Sequence, residues 1–145
     1  MRFLIENNNP VDIIAYHGSP SKFAKFDLSK AGSNTDSGMY GKGIYFTNDL
    51  DLAKSWNDHG YLYKCKLKFN NPFISNNSGD ISKYYKIIEY DNSLDIQKLI
   101  KAGYDGLISN NEEWTDPRTN RLKGIYNQYV CTNPNQIKIL EITKY

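Results

Sequence analysis

The chain has 145 residues, 39% of them hydrophobic, with 18 basic against 16 acidic side chains and a formal net charge of +2. That length suits one domain over residues 1–145, and so small a net charge gives no electrostatic case for nucleic acid or a membrane surface. Two cysteines without a C-x-x-C and two histidines cannot build a zinc cluster at familiar spacing, so the expectation is a reduced, cytoplasmic protein without metal.

Residues 1–5 run straight into Glu6 and three asparagines, without the apolar stretch of a signal peptide. The apolar runs, such as Ile13-Ile14-Ala15, are far too short to span a bilayer. Residues 12–17 (DIIAYH) read as a strand stopped by Gly18 and Pro20. The segment 19–37 is polar, with Phe23 and Phe26 as isolated anchors, and reads as loop. Residues 43–47 place β-branched and aromatic side chains after glycines, a strand leaving a tight loop. Thr47 or Asn48 can cap a helix near 50–57, with Asp49 and Asp51 favourable at its start. Residues 61–69 (YLYKCKLKF) alternate apolar and polar, the best strand in the sequence. The segment 70–80 is turn-rich.

Leu94, Leu99 and Ile100 support a helix over 94–102, ended by Gly103. Residues 106–109 read as a short strand. The charged segment 110–123 reads as an exposed loop or ragged hairpin, which leaves Glu112 and Glu113 in water. Two further strands are expected at 126–132 and 136–143. Short strands with two modest helices predict an α+β fold with a split, mainly antiparallel sheet.

Generic catalytic motifs are absent. Gly41-Lys42-Gly43 lacks the earlier glycine of a phosphate-binding loop, and Phe46 fills the slot of a Rossmann third glycine. His17-Gly18-Ser19 has no G-x-S-x-G elbow to supply a nucleophile. The order of three blocks says more: Tyr16-His17-Gly18-Ser19, then Met39-Tyr40-Gly41-Lys42-Gly43-Ile44-Tyr45-Phe46-Thr47 with Ala53-Lys54-Ser55-Trp56, and last Ile125-Tyr126-Asn127-Gln128-Tyr129-Val130. This series resembles the ADP-ribosyltransferase superfamily of the diphtheria-toxin and poly(ADP-ribose)-polymerase type. Within it, the chain is most similar to the small ADP-ribosyltransferase domains of bacterial and phage polyvalent proteins.

The resemblance implies a His-Tyr-Glu triad and NAD as co-substrate, without metal. His17 would meet the adenosine-side ribose hydroxyls, since imidazole offers both a donor and an acceptor. Gly18 would let the backbone approach the nicotinamide carboxamide. Tyr45 would stack on the nicotinamide ring, with Trp56 or Tyr40 as a second face. Ser19 sits where a small hydroxyl meets phosphate or ribose. The implied activity is mono-ADP-ribosylation of a macromolecular acceptor, a host protein, by a toxin-like bacterial or phage effector in the cytoplasm. The alternatives are a silent NAD- or ADP-ribose-binding module and a NAD glycohydrolase.

Gln128 departs from the pattern, standing where the family's third triad residue is Glu. Glutamine keeps a hydrogen bond but brings no charge to a reaction whose transition state is oxocarbenium-like. Losing such a preorganised group costs on the order of 3 kcal/mol. Three readings accommodate it: a natural His-Tyr-Gln transferase, a NAD-binding protein without turnover, and a Glu-to-Gln replacement. Taken singly, His17 also reads as a structural polar residue, Tyr45 and Trp56 as packing, and Gln128 as a solvated strand position.

Overall fold

The computed structural model describes residues 10–30, 42–76, 96–116 and 118–145. Among the described residues there are seven strands: β1 Val11–Ser19, β2 Ile44–Thr47, β3 Tyr61–Phe69, β4 Pro72–Ser75, β5 Gly106–Thr115, β6 Leu122–Cys131 and β7 Ile137–Lys144. Helices α1 (Leu50–Ser55) and α2 (Ile96–Lys101) accompany them. The strands form one sheet in the order β4-β5-β6-β2-β1-β3-β7. Every pairing is antiparallel except β4 with β5. The α+β architecture expected from the sequence is therefore present.

The sheet is split where β1 meets β2. Strand β1 runs along β3 from Val11↔Phe69 to Ser19↔Tyr61, yet it meets β2 only at Tyr16↔Thr47. Two segments differ from their sequence reading. The turn-rich stretch 70–80 contains β4, a short edge strand lying parallel to β5. The strand at 106–109 continues to Thr115 and returns through β6, so much of 110–123 is an ordered hairpin.

Alternation in β3 turns Tyr63, Cys65, Leu67 and Phe69 to one face and Lys64, Lys66 and Lys68 to the other. The first set joins Ala15, Ile44, Phe46, Ile108, Tyr129 and Cys131 in the main core. Tyr63 ties the 21–23 segment to it, its hydroxyl accepting from the Phe23 N–H (2.6 Å) and donating to the Ser21 carbonyl (3.1 Å). A smaller core covers the opposite face, where Ile96 and Leu99 of α2 pack on Leu107 and Val130 with Tyr45, Phe73 and Tyr104 at its margin. Helix α1 starts at Asp49, whose carboxylate accepts from the Leu52 N–H (3.0 Å). Among the described residues no helix is long and apolar enough to cross a membrane.

Candidate active site

The split determines what His17 does. Beyond Tyr16↔Thr47 the two strands part, and the His17 ring Nδ1–H donates to the Tyr45 carbonyl at 2.6 Å. An imidazole thus reaches a β2 backbone acceptor across the split. With the proton on Nδ1, Nε2 is left as an acceptor. The ring is walled by Phe26 (centroids 5.2 Å apart), Phe46 (5.5 Å), Trp56 (5.8 Å) and Tyr63 (6.3 Å). This apolar cage pushes the His17 pKa below 6.5, against the opposing pull of the Tyr45 carbonyl.

A stability consequence follows from that shift. Below pH 6.5 the unfolded chain binds a proton that the folded ring resists. The contribution of neutral His17 is complete above 6.5 and is lost as pH falls toward the depressed folded value. Melting temperature followed from about pH 8 to about pH 5 should therefore drop more steeply for the native chain than for His17→Phe. Parallel curves would assign the acid sensitivity to other groups.

Strand register arranges the other candidates on the opposite face from the His17 ring. Ser75↔Ser109, Ser109↔Gln128, Gln128↔Thr47 and Thr47↔Tyr16 form one polar row across five strands. Ser75, Ser109, Gln128 and Thr47 are all buried. Tyr45 lies two residues before Thr47, so it shares the face of Gln128 and sits opposite Val130. Among the described residues, Gln128 Oε1 and Ser109 Oγ on this face are buried without a hydrogen-bond partner, as is Tyr145 Oη elsewhere. Buried polar atoms are almost always paired, so these two mark a place built for a polar group. Tyr45 and Gln128 thus come together, while His17 joins them through the Tyr45 backbone from the other side of β2.

The remaining candidates are placed as follows. Gly18 lies against α1, where a Cβ would run into the Ala53 carbonyl oxygen. Its missing side chain is therefore required by helix approach, whatever else its backbone meets. Ser19 is buried, and its hydroxyl accepts from the Ser21 N–H (3.2 Å). Trp56 caps the end of α1, half-buried, its ring edge-on to His17. Tyr40 lies outside the described residues. Glu112 is the residue the sequence reading missed: instead of standing in water it is 7% exposed within β5, opposite Tyr126. Glu113 is exposed, as expected.

A polar depression around Asp105, Thr132 and Gln136 offers no rival site. Its groups are committed to backbone: the Thr132 hydroxyl and the Gln136 amide donate to the Asp105 carbonyl, and the Asp105 carboxylate accepts from the Asn70 and Asn71 N–H groups. Among the described residues no three His, Cys, Asp or Glu side chains gather as a metal site.

A mixed, mainly antiparallel sheet that splits between the His17 and Tyr45 strands, with Gln128 on the next strand over, has an ADP-ribosyltransferase-like architecture. The chain belongs to the family described as ADP-ribosyltransferase in polyvalent proteins, whose model matches residues 7–142. No curated protein matches its sequence. ADP-ribosyltransferases take NAD as co-substrate.

Proposed function

We propose that this chain is a NAD-dependent mono-ADP-ribosyltransferase, a bacterial or phage effector that modifies a host protein in the cytoplasm. The observation carrying the proposal is the buried, unpartnered Gln128 Oε1 on the same face as Tyr45, beside the split bridged by His17. Three chemically different contacts are thereby offered to one dinucleotide. His17 Nε2 accepts from the adenosine-side ribose, Tyr45 offers its ring face to nicotinamide, and Gln128 with Ser109 holds the nicotinamide-side ribose hydroxyls. Gly18 and Ser19, which end β1 after His17, are the backbone and hydroxyl contacts proposed with them. NAD supplies the bond to be broken: its ribose–nicotinamide C–N pair leaves with the ring nitrogen, and an acceptor lone pair takes the ribose carbon while the acceptor proton passes to solvent.

The neutral side chain of Gln128 favours a second reading, a module that binds NAD or an ADP-ribosylated partner without turnover. Incubation of the chain with labelled NAD and a host-cell lysate separates the possibilities. Label on a discrete protein band, with nicotinamide released, is the expected result. Free ADP-ribose formed without any acceptor would make the chain a glycohydrolase. Calorimetric NAD binding with no nicotinamide release would overturn the enzyme reading in favour of the binding module.

A further inference from the structure

Strand β5 carries a carboxylate toward the face on which Gln128 lacks one. Ser109 pairs with Gln128, and in a regular ladder Asn111 would then oppose Tyr126. A bulge intervenes, so that Glu112 takes that place and the alternation of faces is reset. Asn111 absorbs the extra residue with φ 61°, a conformation asparagine tolerates better than most side chains. Its N–H donates to Asn127 Oδ1 (3.2 Å), and its Nδ2 donates to the Asn76 carbonyl (3.2 Å). Asn127 is in turn held by its own N–H donating to Asn48 Oδ1 (2.8 Å). Asn48 and Asn76, which follow β2 and β4, thus fix the bulge together with Asn111 and Asn127 within β5 and β6.

The consequence is directional. Without the bulge Glu112 would face away from Gln128; with it, Glu112, Tyr126 and Gln128 share one face. Diagonal neighbours in a sheet lie about 7–8 Å apart, within reach of one ligand group set between two long side chains. Glu112 is buried on that face, so its charge acts there with little water between it and a neighbouring group. Its charge is felt locally: the Tyr126 hydroxyl is pushed up to about 12, first by burial and then by Glu112.

Resting on the transferase reading above, we infer that Glu112 is a catalytic residue, which supplies from β5 the negative charge that Gln128 does not bring. It stabilises positive charge developing on the ribose as the pair leaves with nicotinamide, and it exchanges no proton. Gln128 keeps the hydrogen bond and Glu112 contributes the field, so the two divide what one glutamate does elsewhere in the superfamily.

The test is nicotinamide release from NAD by the native chain, Glu112→Gln, Gln128→Glu and the double variant, with calorimetric Kd and melting temperature for each. Glu112→Gln should lower kcat roughly tenfold to a thousandfold while Kd moves little, because the charge acts mainly in the transition state. Adding Gln128→Glu to Glu112→Gln should recover kcat to within about tenfold of native. Gln128→Glu alone should raise kcat less than about tenfold, because two neighbouring carboxylates resist ionising together. An unchanged kcat in a folded, NAD-binding Glu112→Gln chain overturns the Glu112 assignment and leaves the transferase standing. Turnover confined to Gln128→Glu alone overturns it too, since the native chain would then lack the charge. Silence in all four variants with NAD bound overturns both readings. If Glu112→Gln fails to fold, Glu112→Asp withdraws the charge by one methylene: a fall in kcat at constant Kd supports the assignment, and an unchanged kcat overturns it.

Discussion

Replacing Phe46 with alanine should lower the free energy of unfolding by about 3–5 kcal/mol, the range for removing a fully buried aromatic ring. Phe46 is inaccessible to solvent and sits in the middle of β2, a strand of 4 residues. Its ring lies 5.4 Å from Phe26 and 5.5 Å from His17, and its backbone pairs with Tyr129. Neighbouring strands are fixed by their ladders, so the space left by the ring collapses only in part. The loss should appear in urea as a lower midpoint at unchanged slope. Ile125, 59% exposed, is the control, and its alanine variant should stay within about 0.5 kcal/mol of native. A loss below about 1 kcal/mol for Phe46→Ala would mean that the cage around His17 repacks easily. The same variant removes one wall of that cage, so the imidazole that holds Tyr45 loses its lateral support.

What the sequence made legible was local and periodic. The alternation of YLYKCKLKF placed β3 without error, because its inward residues repeat every second position on a half-buried face. Glycine after α2 and the β-branched run of β2 were equally readable, since each is decided within a few residues, whereas the helix cap expected at Thr47 or Asn48 falls on Asp49. The blocks around His17, Tyr45 and Gln128 were legible as a resemblance, and the family match agrees with it. What failed was non-local. Strand β4 begins on Pro72 after two asparagines and is held as a strand by β5 lying parallel beside it. The segment beyond Ser109 read as exposed loop or ragged hairpin, and not as a regular one, because the Asn111 bulge breaks the alternation, and that break also turns Glu112 from the water-facing residue expected into a buried one. An Asn-Asn pair after an apolar strand was the available signal, since asparagine accepts the left-handed conformation a bulge needs. The placing of His17 and Tyr45 on opposite faces was beyond any periodicity, because it depends on where β1 and β2 part.

His17→Phe should separate the packing of that ring from its polar work. Phenylalanine keeps an aromatic ring among Phe26, Phe46, Trp56 and Tyr63 but removes both nitrogens. The Tyr45 carbonyl, which accepts from Nδ1–H at 2.6 Å, loses that donor at the split edge of β2. A buried acceptor left unsatisfied costs about 1–3 kcal/mol, so the fold should weaken by that amount even though volume is nearly conserved. Loss of Nε2 acts on the ligand side. One ribose hydroxyl would lose its acceptor, and kcat/KM for nicotinamide release should fall roughly tenfold to a hundredfold. Most of that fall should appear in KM, because the adenosine-side ribose is remote from the breaking bond and its contact is made equally before and during reaction. A fall carried by kcat instead would show that the imidazole acts through β2, by keeping Tyr45 where the nicotinamide ring must lie. Unchanged kinetics in a folded variant would reduce His17 to a bridge between two parted strands, and the ribose contact would have to come from another group along the split.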